Sequence, residues 1–156
     1  MRESEVRGWN GVVWYLVGTI TVLAIFPKDV ATLSILLLSW CDTAASTFGR
    51  LWGRYTPAIR RGKSLAGSLA AAVVGAVAAG LWWGCIATEG PEVMWRGRLG
   101  IAGAEVTGGW ALAAMGVLTG VVASASEVLD CCGLDDNVVI PVVSAVGIWG
   151  LLKVFG

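Results

Sequence analysis

The chain has no histidine. This single absence excludes a Ser-His-Asp triad, a HExxH zinc site and an imidazole proton shuttle, and leaves carboxylates, Lys, Arg, hydroxyls and backbone to carry any chemistry. The four cysteines, Cys41, Cys85 and the adjacent Cys131-Cys132, have neither CxxC nor zinc-site spacing, so they read as reduced packing thiols. Residue type and location also fit Cys131-Cys132 to juxtamembrane acylation. Net charge is missing too: 11 basic and 11 acidic residues cancel. With no basic tail of interleaved aromatics, nucleic acid is not an expected partner. The chain holds no GxxxxGK(S/T) spacing, which excludes a P-loop. No soluble domain, long linker or low-complexity tract breaks it.

What the chain does have is apolar length. Of its 156 residues 56% are hydrophobic and 14% charged, and the mean hydropathy is +0.76, a composition of integral membrane proteins. Five apolar segments stand out, at residues 8–26, 30–48, 64–86, 108–126 and 138–155. At about 1.5 Å per helical residue each matches a bilayer core about 30 Å thick. The expected fold is therefore all-α, a polytopic membrane protein of about five transmembrane helices forming a single membrane domain over residues 1–156. Arg2 and Arg7 resemble the start of a signal peptide, but no small-x-small cleavage site follows before Pro27, so the first segment is expected to be retained. In the third segment Gly67, Ala71, Gly75 and Ala79 recur every four residues, and Gly116, Gly120 and Ser124 repeat the device in the fourth. Both stripes predict close helix–helix packing. Trp9, Trp40, Trp82, Trp83 and Trp110 stand near span ends and read as interfacial anchors.

Five crossings sort the loops by side. The N-terminus, residues 50–63 and residues 127–137 share one side, with Arg2, Arg7, Arg50, Arg54, Arg60, Arg61 and Lys63; the other carries Lys28, Arg96, Arg98 and Lys153. The excess of cations places the first side in the cytoplasm. Residues 87–107, mixed in sign and rich in glycine, read as an ordinary lumenal loop. A basic loop and an acidic loop, the latter with Glu127, Asp130, Asp135 and Asp136, thus share one membrane face.

Asp42 stands inside the second apolar segment, which would be only 12 residues long if it stopped at Cys41. A carboxylate at membrane depth faces protein or water, and it needs a partner or a task. If helix continues past it, steps of about 100° put Asp42, Ser46, Gly49 and Gly53 on one face, flanked by Arg50 and Arg54. Ala45, Gly49 and Gly53 equally form a small-residue packing face. Arg60-Arg61-Gly62-Lys63-Ser64 reads either as a topology-setting flank or as an anion site, with Lys63 as a point charge and the N-terminus of the third helix offering free N–H groups at Ser64. Glu127, Asp130, Asp135 and Asp136 are hard oxygen donors that suit Mg²⁺, and crowding fits one of them to act as a general base. The bland alternative is a solvated acidic turn with Asp136 or Asn137 capping the last helix.

Four blocks then carry a resemblance: Gly11-Val12-Val13-Trp14-Tyr15, Leu38-Ser39-Trp40-Cys41-Asp42-Thr43-Ala44-Ala45-Ser46-Thr47-Phe48-Gly49-Arg50, Lys63-Ser64-Leu65-Ala66-Gly67-Ser68 and Asp135-Asp136-Asn137-Val138-Val139-Ile140-Pro141. Together they resemble the CTP-dependent diacylglycerol kinases of fungal endoplasmic reticulum, a family similar to dolichol and phytol kinases and to phosphatidate cytidylyltransferases. The resemblance implies transfer of the CTP γ-phosphate to diacylglycerol at the cytoplasmic face of the endoplasmic reticulum or nuclear envelope. It matches Asp42 and Gly49 to the CTP motif, Arg50, Gly53, Lys63 and Ser64 to its surroundings, and Glu127, Asp130, Asp135, Asp136 and Asn137 to the acidic segment. Family members carry a further N-terminal membrane region with a basic motif, and nothing before Gly8 matches it, so the expectation is a C-terminal part. The resulting assignment makes Asp42, Lys63, Glu127 and Asp130 catalytic; Asp42, Ser46, Gly49, Arg50, Gly53, Arg54, Lys63 and Ser64 nucleotide-binding; and Asp42, Asp135 and Asp136 ligands of Mg²⁺. Membrane lipid and CTP are the expected partners. A polyprenol kinase or a CDP-lipid cytidylyltransferase would use the same site, and a transporter or inactive fragment is the non-enzymatic alternative.

Overall fold

The computed structural model describes residues 11–60, 62–87, 90–91, 93–101, 104–129 and 134–155. Five helices order the chain: α1 (Gly11–Ile25), α2 (Lys28–Trp52), α3 (Leu65–Leu81), α4 (Gly108–Val128) and α5 (Asp136–Phe155). Four of them, all but α1, are long and apolar enough to cross a membrane. The fold is all-α and polytopic, as the hydropathy pattern requires.

Pro27 separates α1 from α2, because it has no N–H to extend α1 and its φ of −54° and ψ of 148° turn the chain. The buried Asp29 then stabilises the start of α2: its Oδ1 accepts from Val30 N at 2.9 Å and its Oδ2 from Met94 N at 2.8 Å. Packed against all four other helices, α2 is central. Val30, Leu33, Leu37 and Cys41 on α2 meet Ala71 and Ala78 on α3, Met115 on α4 and Ile148 on α5 in one core. Leu69, Val73, Val117, Val121 and Val146 point outward, as lipid-facing residues do.

The small-residue stripes account for the closest contact. A Cβ on Gly75 would lie 2.9 Å from Ala123 Cβ and 3.1 Å from Gly120 Cα, and one on Gly120 would collide with the carbonyl of Ala72. Ser124 Oγ donates across the seam to Ser68 O at 2.9 Å. On the other flank Pro141, inside α5, has no N–H to give the carbonyl of Asn137, and that carbonyl faces Gly18 of α1, where a Cβ would stand 2.7 Å away.

Three features depart from the sequence reading. Residues 87–107 are not merely a loop: β3 (Arg98–Ile101) pairs antiparallel with β4 (Ala104–Thr107), and Trp95 and Leu99 insert into the core. A second short ribbon joins β1 (Ala58–Arg60) to β2 (Lys63–Ser64) through Gly62, whose φ of +79° is open to glycine at little cost. Trp83 is no lipid anchor, since it is 4% exposed and packs against Trp95 with centroids 5.9 Å apart, whereas Trp40 and Trp110 are exposed. Trp9 lies outside the described residues.

Candidate active site

At one end of the bundle α2 and α4 finish while α3 and α5 begin, and there α2, α3, α4 and the β1–β2 ribbon line a cavity of about 370 Å³. Because α2 stays helical to Trp52, Asp42, Ser46 and Gly49 do share a face. With Ala45 and Arg50 they form one wall. The ribbon supplies Gly62, Lys63 and Ser64; α3 supplies Gly67 and Ser68; α4 supplies Glu127. The glycines create the space: a Cβ on Gly67 would stand 2.7 Å from Ala45 O, and Cβ atoms on Gly49 and Gly53 would stand 3.3 and 3.0 Å from Ser64 Oγ.

Lys63 is the electrostatic centre. Its ammonium donates to Glu127 Oε1 and, at 3.1 Å, to Asp136 Oδ2, so three elements distant in sequence meet on one charge. Burial opposes that charge, but the hydrogen bonds and charges of Glu127 and Asp136 outweigh it and raise the Lys63 pKa above its ordinary 10.5. Lys63 is consequently a fixed cation and not a proton acceptor near neutral pH. Asp42 lies within electrostatic range of Lys63, Glu127 and Asp136. Glu127 is 3% exposed, and its Oε2 has no hydrogen-bond partner among the described residues. Such an orphaned buried oxygen is costly unless something positive meets it. Next to it Ser126 Oγ meets Ser144 Oγ at 3.0 Å, which fixes the end of α4 against α5, and Arg60 Nη1 reaches Val128 O at 3.5 Å.

The other expected residues are placed as follows. Arg50 lines the cavity while its Nε donates to Ser46 O at 3.0 Å. Gly53 touches Ser64 without lining the cavity. Arg54 lies over the Tyr55 ring, 4.5 Å from its centroid, away from the cavity wall. The cap of α5 is Asp135 instead of Asp136 or Asn137: its Oδ1 accepts from Asn137 N at 2.9 Å and from Asn137 Nδ2 at 2.7 Å, which frees Asp136 to reach Lys63. Asp130, Cys131 and Cys132 lie outside the described residues, as do Arg2, Arg7 and Arg61.

The free amides expected at the start of α3 are occupied. Leu65 N donates to Pro57 O at 3.1 Å, Ala66 N to Thr56 Oγ1 at 3.3 Å and Gly67 N to Ser64 Oγ at 3.3 Å. Anion attraction thus falls to Lys63 and Arg50. Ala45 was expected only on a packing face, and Gly62, Gly67 and Ser68 only as members of the basic run and of the start of the third helix, not as individual site residues.

As they stand, no three His, Cys, Asp or Glu among the described residues close around a metal ion. The donor chemistry nonetheless fits Mg²⁺, which takes one or two carboxylates and completes its shell with water and phosphate oxygens; the orphaned Glu127 Oε2 beside Asp42 and Asp136 is such a donor set.

No protein-family model matches the chain, and no solved structure matches it. Curated relatives do. CTP-dependent diacylglycerol kinase 1 of Schizosaccharomyces pombe is 47% identical over 145 residues, covering 93% of this chain and 62% of the relative. The protein of that name from Eremothecium gossypii is 47% identical over 152 residues, covering 94% of this chain and 45% of the relative. The one from Saccharomyces cerevisiae is 41% identical over 155 residues, covering 99% and 53% respectively. The chain spans about half the length of the curated relatives it matches. Over nearly its whole length the chain is similar to the C-terminal part of the fungal proteins named CTP-dependent diacylglycerol kinase 1.

Proposed function

We propose that this chain carries the phosphoryl-transfer site of a lipid kinase that moves the γ-phosphate of CTP to the hydroxyl of diacylglycerol, giving phosphatidate and CDP. The observation that supports it best is the meeting of Lys63, Glu127 and Asp136 beside Asp42 in a chain whose relatives bear the name of that reaction. The lipid hydroxyl oxygen attacks the γ-phosphorus, the bond to the β–γ bridging oxygen breaks, and the hydroxyl proton passes to a carboxylate, Glu127 or Asp130. Lys63 and Arg50 neutralise charge on the transferred group, and the wall of Ser46, Gly49 and Ser64 lets phosphate oxygens approach the backbone. Asp42 and Asp136, with Asp135 setting the start of α5, would hold Mg²⁺, which would supply charge neutralisation for the phosphates. The cation excess on this side supports a site at the cytoplasmic surface, and the resemblance to the fungal kinases implies the endoplasmic reticulum membrane. A hydroxyl at the lipid–water interface is within natural reach there.

The test is phosphatidate synthesis by the reconstituted chain from CTP and diacylglycerol. Asp42→Asn, which keeps size and removes charge, is expected to lower kcat by about 100-fold or more, the scale of losing one transition-state electrostatic contact. Undiminished activity in that variant sinks the assignment of Asp42. Release of pyrophosphate instead of CDP would identify a cytidylyltransferase.

A further inference from the structure

Glu127 presents a contradiction within one carboxylate: one oxygen is held by Lys63, while the other is buried at the cavity without a partner among the described residues. Asp42 and Asp136 stand in electrostatic range, and yet no three acids among the described residues close on a common point. The ammonium of Lys63 occupies the place between Glu127 and Asp136 where a shared cation would sit. We propose that Lys63 is the resident counter-ion of a divalent-cation site formed by Glu127, Asp136 and Asp42, and that it leaves these carboxylates for the phosphates of the incoming nucleotide. This rests on the kinase reading for the identity of the nucleotide, though not for the site itself.

The exchange follows from competition for the same oxygens. Without nucleotide, the ammonium of Lys63 holds one oxygen each of Glu127 and Asp136, and a second cation must displace that tethered charge to use them. Phosphate oxygens give that ammonium another anionic partner, and the flexible four-carbon stem of lysine permits the swing. As Lys63 moves away, the Glu127 oxygens and Asp136 become available together, and with Glu127 on the cation the proton acceptor is Asp130. Cation binding is thereby conditional on nucleotide, and an empty site does not hold a metal ion that would have to be displaced.

Mn²⁺ binding to the full 156-residue chain in nanodiscs, followed by electron paramagnetic resonance without nucleotide, tests this. Lys63→Met is expected to bind Mn²⁺ at least about tenfold more tightly than wild type, a modest share of the interaction between unit charges at contact range. Lys63→Met/Glu127→Gln is expected to lose that gain. Acetylating Lys63 on already folded wild-type protein, verified by peptide mass spectrometry against the only other lysines, Lys28 and Lys153, must reproduce the gain and replaces the methionine variant if that variant does not fold. Unchanged or weaker Mn²⁺ binding once the charge is gone overturns the proposal. CTP is further expected to strengthen Mn²⁺ binding to wild type more than to Lys63→Met, after allowance for the CTP–Mn²⁺ complex in solution. Equal strengthening overturns the exchange. A Mn²⁺ gain in Lys63→Met without phosphatidate synthesis by wild type defeats the kinase reading and leaves the counter-ion role standing.

Discussion

Lys63 lies where burial and two carboxylates act in opposite directions, and the carboxylates prevail. A lysine pKa raised on folding adds stability that is complete below the ordinary value of 10.5 and is lost as pH rises through the higher folded value. The difference in unfolding free energy between wild type and Lys63→Met is therefore expected to stay constant from about pH 7 to 10 and to shrink above that range, as graded SDS unfolding would record. A difference that declines between pH 7 and 9 would contradict the pairing. Ser64 acts beside it as the cap of α3, accepting from Gly67 N at 3.3 Å. Ser64→Ala is expected to cost about 1 kcal/mol in the same assay, and Ser64→Gly less. Residue type alone singled out Lys63 and Asp42, because charge in an apolar context is conspicuous. Their partners were legible only as a shared membrane face, since Glu127 is 64 positions from Lys63 and Asp136 is 73.

At the scale of elements, α3 and α4 are joined by the absence of side chains. A Cβ on Gly75 would meet Ala123 Cβ at 2.9 Å, and that on Gly120 the Ala72 carbonyl, whereas a Cβ on Gly80 meets nothing within 4 Å. Gly120→Val is expected to destabilise the bundle by about 1–3 kcal/mol or more, as overpacking of a tight seam does, while Gly80→Ala is neutral or mildly stabilising. Thermal aggregation of the detergent-solubilised protein compares the two, and equal stability would show that the seam does not depend on close approach. The four-residue repeat was readable in sequence because helical periodicity aligns it. Gly67 was legible as a contact but not as a site boundary, for its partner, the Ala45 carbonyl, belongs to α2. The β3–β4 hairpin escaped notice because Gly97, Gly100, Gly103 and Gly108 dilute any strand signal. The π-helical turn Trp82–Ile86 at the end of α3 likewise has no marker in the sequence.

For the whole molecule, the cavity gathers at one end of the bundle, and the β3–β4 hairpin packs on α4 and α5 at the end where α4 begins and α5 finishes. Tyr55, exposed after α2, precedes α3, and Cys85, exposed in the π-helical turn, follows it. In a Cys131→Ser/Cys132→Ser background a membrane-impermeant maleimide is expected to label Cys85 in sealed vesicles from the side opposite to a cysteine introduced by Tyr55→Cys. Labelling of both from one side would refute the crossing pattern of α3. The sequence by itself determined the membrane class, the approximate places of the five helices and which loops share a side, because hydropathy and charge are summed locally along the chain. It also exposed Asp42 and Lys63 as residues out of keeping with their surroundings. Only the tertiary structure decided that Lys63 joins Glu127 to Asp136, that Asp135 caps α5, that the first amides of α3 are already bonded and that Trp83 is buried. Those outcomes depend on how each helix is rotated and how closely its neighbours approach. That is set by contacts between distant residues, where a glycine on one helix admits a carbonyl from another.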